Sequence, residues 1–222
     1  MDYKITETKS RITEDNDRCA EEVRRRLKET GTVLINLMGS PGAGKTTFLI
    51  RTLQALKDRY RIGVMEADVD SDVDAAAVSE LGVRVIQLHT GGSCHMDADM
   101  TMRGLTEMGY DDLDLIVLEN VGNLVCPAEF DVGANIRVMI LSVPEGDDKP
   151  LKYPLMFQVS DCMIINKIDV LPVFDFSVEE ARKRARNLNP NLTVIPLSAG
   201  NGEGFDEWIR WLTERMEAYE GH

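Results

Sequence analysis

The octapeptide Gly39-Ser40-Pro41-Gly42-Ala43-Gly44-Lys45-Thr46 satisfies G-x-x-x-x-G-K-[ST] at every fixed position. An apolar run, Thr32 to Met38, leads into it, and a stretch with helical character follows over residues 45–59. A glycine loop between a strand and a helix curves backbone N–H groups around phosphate oxygens, and the helix N-terminus adds its positive end. Lys45 is expected to reach the β- and γ-phosphates and Thr46 to ligate Mg²⁺, with Gly39, Gly42, Ala43, Gly44 and Thr47 completing the cradle. A tight glycine turn with no ligand is the alternative. A dinucleotide fingerprint is excluded, because counting from Gly42 the last glycine position of G-x-G-x-x-G is Thr47.

A phosphate loop of this kind demands a parallel sheet, and the pattern agrees. Strands are expected at 32–38, 61–67, 83–88, 113–119, 136–142, 162–166 and 192–197. Helices are expected at 12–30, 45–59, 74–81, 95–108, 154–159, 177–188 and 205–217. Alternating elements with continuous apolar strands imply an α/β fold, a mostly parallel sheet with helices on both faces. Residues 1–31 read as an N-terminal helical extension and 32–222 as the P-loop domain. The chain has 222 residues, enough for one such domain. A net charge of -13 disfavours nucleic acid as a partner. No apolar run is long enough to cross a bilayer. Four scattered cysteines do not make a disulfide framework, so a reducing cytoplasm is the expected setting.

Asn166-Lys167-Ile168-Asp169 follows an apolar strand and resembles the N-K-x-D element that selects guanine. The Asp169 carboxylate can accept from N1–H and the 2-amine of guanine. Adenine lacks that amine and presents a lone pair at N1, and a site built this way discriminates by ~10⁴-fold. Lys167 is expected over the base plane and Asn166 as a brace. Ser198-Ala199 resembles the element whose backbone N–H meets the 6-oxo group. GTP and GDP are therefore the expected ligands, and a solvated loop is the alternative.

Strand-end carboxylates beside a phosphate loop position Mg²⁺ and its waters. Asp68 and Glu119 are assigned to that role, with Asp74 a further candidate; Asp70 and Asp72 read equally as a solvated turn. Glu119-Asn120-Val121-Gly122 departs from the D-x-x-G of Ras-like GTPases and fits the branch that dimerises across the nucleotide, the SIMIBI type. No glutamine is obviously placed to orient water, so GTP hydrolysis at a low intrinsic rate is expected.

Cys94-His95 and Cys126-Pro127 lie in loops that leave strand C-termini, and such loops gather on one sheet edge. Two thiolates and an imidazole suit Zn²⁺ or Ni²⁺, and a closed site needs a fourth ligand from water, a side chain or a symmetry partner. The alternative makes Cys94 and Cys126 packing residues and His95 a helix cap. Cys162 is expected in the core, Cys19 in packing, Met96, Met100 and Met108 in a helix core, and Asp97 and Asp99 as first-turn helix charges.

Together, Gly39–Thr46, Thr90-Gly91-Gly92-Ser93-Cys94-His95, Glu119 through Pro127, Asp131-Val132-Gly133 and Asn166–Asp169 resemble the HypB family of GTPases, which serve nickel insertion into [NiFe] hydrogenases. The resemblance covers nearly the whole chain. It implies a GTP- or metal-promoted homodimer with Ni²⁺ or Zn²⁺ held by Cys94, His95 and Cys126. It also implies two partners, a HypA-type nickel accessory protein and the hydrogenase large subunit. Two departures stand out. Many relatives carry an N-terminal cysteine motif or histidine tract, whereas residues 1–31 hold one cysteine and no histidine. Some relatives have a histidine where this chain has Asp99, which puts a second metal site there in doubt.

Three other readings compete. A urease-type or cobalamin-enzyme metal chaperone is disfavoured by the Glu119–Pro127 segment. A P-loop small-molecule kinase leaves Asn166–Asp169 unexplained. A non-catalytic metal store lacks the histidine tract.

Overall fold

Strands that are apolar at nearly every position must be covered on both faces, and β1 (Val33–Gly39) is buried along its whole length, as are β4 (Leu115–Glu119) and β6 (Cys162–Asn166). The computed structural model describes residues 8–68 and 78–220, with only the backbone of residues 8–13, Asp68 and Glu220. With β2 (Ile62–Asp68), β3 (Arg84–His89), β5 (Ile136–Ser142) and β7 (Thr193–Pro196), the strands form a seven-stranded sheet in the order β3-β2-β4-β1-β5-β6-β7. Every pairing is parallel. The chain winds outward from β1 to β3, returns to β4, then crosses to β5 on the other side of β1. Ligand crevices form where the winding reverses, and the phosphate loop leaves β1 at that place.

The period of two along β1 separates two cores. Val33, Ile35 and Leu37 face helices α2 (Lys45–Leu56) and α8 (Phe205–Glu220). Phe205, Trp208, Leu212 and Met216 recur at helical spacing and meet Phe48, Leu49 and Leu53 of α2. Trp208 is buried without penalty because its indole N–H donates to Thr52 Oγ1 at 3.0 Å. Burying side chains of this size stabilises by about 1.5–3 kcal/mol each.

Leu34 faces the opposite side, with α1 (Thr8–Thr30) and α3 (Ala98–Met108). Ala20, Val23 and Leu27 of α1 are fully buried. The segment Asp131-Val132-Gly133 is the dock for that helix. Arg24 pairs with Asp131 at 2.9 Å, and Asn16 donates to the Asp131 carbonyl. Gly133 has φ +78°, and a Cβ there would lie 2.5 Å from Val23. A third core lies under α6 (Pro154–Val159) and α7 (Val178–Leu188), beside the short α5 (Lys149–Lys152). Cys162 is buried as expected, Met108 lies in the α3 core and Met100 packs against it, whereas Met96, expected in that helix, is buried in the turn before it.

Three expectations are corrected. The helix expected from residue 95 begins at Ala98, because Asp97 accepts from Met100 N–H and caps it; Cys94 and His95 stay in the preceding turn, so His95 is not a cap. A short helix, α4 (Cys126–Glu129), stands where a plain loop was expected, with Pro127 in its first turn. Helix α1 starts earlier than 12. Asp70, Asp72, Asp74 and the first half of the expected 74–81 helix lie outside the described residues.

Candidate functional site

Gly42 and Gly44 adopt φ of +75° and +93°, conformations open to glycine, and so fold the loop tightly at the head of α2. Gly44 caps the helix with no side-chain hydrogen bond, which leaves the first-turn N–H groups facing the loop. The buried Lys45 ammonium lies 3.3 Å from the Ser40 carbonyl and 3.5 Å from that of Gly39. Thr46 donates its hydroxyl to Glu119 Oε1 at 3.1 Å. A cavity of about 620 Å³ opens here, within the size range of small-ligand sites. Gly42, Gly44, Lys45, Thr46, Thr47 and Lys167 line it beside Glu66, Gln87 and Glu119.

Strand register explains that last trio. Glu66 of β2 pairs with Gln87 of β3 on one side and with Glu119 of β4 on the other, so the three stand abreast. Glu66 is 4% exposed and Glu119 6%. Two buried carboxylates side by side repel each other unless a cation lies between or near them. Together with the Thr46 hydroxyl they form a set of hard oxygen donors, which fits Mg²⁺. The Gln87 amide finds no hydrogen-bond partner among the described residues. Sequence reasoning missed Glu66 and Gln87; the signal was a lone polar residue between apolar neighbours in its strand.

At the other end, Asn166 ties three loops together. Its Nδ2 donates to the Ala43 carbonyl at 2.9 Å, and its Oδ1 accepts from Lys167 N–H and from Ala199 N–H at 2.8 and 3.0 Å. Gly44 must lack a side chain because a Cβ would lie 2.6 Å from Asn166 Nδ2. Lys167, at φ +63°, extends over the loop and donates to the Gly42 carbonyl at 2.7 Å. Asp169 is exposed in the turn that follows, free to meet a base. Arg51 of α2 anchors the opposite lip by donating to the Ala199 and Gly200 carbonyls. Ser198 and Ala199 are buried beneath it.

The second group of predicted residues also converges. Cys94 Sγ lies 2.7 Å from Cys126 Sγ and 3.7 Å from His95 Nδ1. The ligand atoms of Cys94, His95 and Cys126 all fall within 4.8 Å of one another, the one such cluster found among the described residues. Thr90 and Ser93 hold the turn that carries the first pair: Thr90 Oγ1 donates to the Ser93 carbonyl, and Ser93 Oγ to that of His95. The His95 ring stacks on Phe130, centroids 3.9 Å apart and planes at 20°. Burial pushes the His95 imidazole below its usual range, toward the neutral form that binds metals. The hydrogen bond to Cys94, then burial, raises the Cys126 thiol. A dication would reverse that effect, since it favours the thiolate.

The two groups share a segment. Glu119 begins it against Thr46 and Cys126 ends it in the cluster. Between them Asn123 forms an antiparallel bridge with Gly39 of the phosphate loop, and Gly122 passes so close to Pro41 that a Cβ would lie 2.9 Å from its ring. No helix among the described residues is long and apolar enough to cross a membrane.

Residues 33–196 match the CobW/HypB/UreG nucleotide-binding domain. The hydrogenase maturation factor HypB of Escherichia coli K12 is 44% identical over 94% of this chain and 72% of its own length. The crystal structure of HypB from Archaeoglobus fulgidus superposes with a TM-score of 0.85 at 40% identity, covering 91% of this chain and 98% of that one. HypB from Helicobacter pylori, solved in complex with nickel, gives a TM-score of 0.85 at 36% identity over 92% of this chain and 96% of that one.

Proposed function

We propose that this chain, which belongs to the CobW/HypB/UreG family and within it to the HypB hydrogenase maturation factors, hydrolyses GTP at the β1 loop and couples that cycle to holding and handing over nickel at Cys94, His95 and Cys126.

Each residue has a part. The loop N–H groups and Lys45 bind and orient the β- and γ-phosphates. Asp169 accepts from the guanine edge while Asn166, which accepts from Ala199 N–H, keeps that turn and the Ser198-Ala199 loop aligned with the phosphate loop. Mg²⁺, when bound, neutralises charge that develops on the transferred phosphoryl group. Thr46, Glu119 and Asp68 would hold it, with Glu66 beside them. Among the described strand residues Glu66 separates Gln87 from Glu119, the partner of Thr46, so intrinsic turnover is expected to be low.

The observation that carries the metal role is the convergence of two sulfurs and an imidazole from separate loops into 4.8 Å. Nickel complexed by the H. pylori relative supports it. Thiolate and imidazole donors serve Zn²⁺ equally well. Cys94 is exposed and Val125 beside Cys126 is 48% exposed, so the cluster opens at the surface, where a second copy would complete the ligand set and close a homodimer. A HypA-type accessory protein and the hydrogenase large subunit are the proposed donor and recipient. The cytoplasm, where thiols stay reduced, is the proposed setting.

The test replaces Cys94 and Cys126 by Ala, singly and together, and titrates Ni²⁺ and Zn²⁺. Loss of the site, with GTP turnover retained, is expected. Unchanged stoichiometry and affinity overturn the assignment.

A further inference from the structure

The segment from Glu119 to Cys126 carries only one arm of the thiol cluster. Cys94 and His95 stand on the other arm, after β3, whose Gln87 lines the phosphate cavity but finds no hydrogen-bond partner among the described residues. One buried side chain joins the two. Asn120 is 1% exposed. Its backbone N–H donates to the Leu37 carbonyl at 2.9 Å, and its Nδ2 donates to Asn36 Oδ1 at 3.1 Å, so it is pinned to β1 just ahead of the phosphate loop. Its Oδ1 accepts from Val121 N–H at 2.9 Å and from Met96 N–H at 3.2 Å.

Those contacts place one carboxamide between two neighbours of the chemistry. Glu119, which accepts from Thr46, precedes Asn120. His95 precedes Met96. A buried amide with its donor and its acceptor both engaged is costly to displace, because each lost partner leaves a desolvated polar group. A shift of the β4 end therefore carries Met96 along with it.

Resting on the reading that the cluster binds nickel, we propose that Asn120 is the positioning residue that transmits the phosphate state from Thr46–Glu119 to the Cys94–His95 arm. Cys126 follows the same shift through residues 121–125. With the joint intact both arms respond to the γ-phosphate, and the geometry offered to the metal changes. Without it, one arm stays indifferent to the nucleotide. Mutual dependence of this kind is a coupling between two binding equilibria, and it is reciprocal.

The test uses the full chain with Mg²⁺ and either GDP or a non-hydrolysable GTP analogue, titrated with Ni²⁺ against a competing chelator. In the parent protein the two nucleotide states are expected to differ in nickel affinity by at least about fivefold. In Asn120→Ala that ratio is expected to fall to within about twofold, with one nickel site per chain kept. A variant that preserves the parent ratio, or a parent protein with no ratio, overturns the proposal. Hydrogen exchange on the unmodified protein gives a readout independent of any folding defect. The Met96 amide should change protection between the two states together with residues 121–126; a response of 121–126 with residues 93–97 unmoved overturns the joint. Failure of the nickel reading shows separately, as binding that survives loss of Cys94 and Cys126, and leaves the exchange result standing.

Discussion

Thr46 donates its hydroxyl hydrogen to Glu119 across 3.1 Å, which joins the helix leaving the phosphate loop to the end of β4. Glu119→Gln keeps an acceptor for that hydrogen bond and removes the charge. Mg²⁺-dependent GTP hydrolysis is expected to fall by about 10²-fold or more, as when one electrostatic group is lost from a phosphoryl-transfer site. GDP affinity without Mg²⁺ should hardly change. Single-turnover phosphate release with and without Mg²⁺ separates the two; a parent-like rate would show the carboxylate to be structural.

Asp169 is exposed at the open end of a turn whose other members are clamped by Asn166. In Asp169→Asn the guanine N1–H and 2-amine lose their shared acceptor. The carboxamide N–H can instead donate to a 2-oxo group. GTP affinity is expected to drop by roughly 10–100-fold, the scale of an unmet buried polar pair, while xanthosine triphosphate gains. Competition binding with both nucleotides checks this, and unaltered preference would move base selection elsewhere.

Phe130 fixes the plane of the His95 ring by stacking on it. Outer partners of metal-binding histidines are worth about 10–100-fold in metal affinity. Phe130→Ala is expected to weaken Ni²⁺ binding by that factor at unchanged stoichiometry, and Phe130→Tyr to stay near the parent value. Chelator competition measures both. Equal affinities in all three proteins would reduce Phe130 to a packing residue.

Asp114 immediately precedes β4 and accepts from Arg61 N–H at 2.7 Å as well as from the Arg61 guanidinium. The guanidinium holds its carboxyl below the usual carboxylate range. Folded Asp114 thus binds its proton less readily than unfolded Asp114, so its stabilisation is present above about pH 4 and is lost as pH falls through the depressed folded value. Asp114→Asn should cost about 1 kcal/mol at pH 7, in keeping with a partly exposed pair, and less at acid pH. Urea midpoints of both proteins at pH 7 and pH 3.5 supply the comparison; a pH-independent difference would assign the effect to the backbone hydrogen bond.

Much of the cradle was legible because its residues are contiguous. Gly39–Thr46 and Asn166–Asp169 are single stretches whose chemistry depends on local spacing, and flanking apolar strands announced the parallel sheet. Glu66 and Gln87 were not legible, since each is one polar residue between apolar neighbours in its strand. Their importance comes from standing abreast of Glu119, which is a matter of register. Asn120 was visible only as part of a motif; its role rests on Asn36 and Met96, both distant in sequence. The start of α3 was misplaced because side-chain type along residues 93–98 does not separate a turn from a first helical turn: Asp97 accepts from Met100 N–H and caps the helix, while Ser93 Oγ donates to the His95 carbonyl and holds the turn before it.

The amino-acid sequence by itself determined the order of strands and helices, the phosphate loop, the guanine element and the kinds of atom available to a metal. Those follow from short-range periodicity and from side-chain chemistry, which any segment carries wherever it folds. Only the tertiary structure decided that Cys94 and Cys126, residues of separate loops, meet at 2.7 Å, and that three polar strand residues share one cavity wall. Parallel strands pair across long crossovers, so which residues become neighbours is settled when apolar faces are buried together, and no local pattern records that outcome.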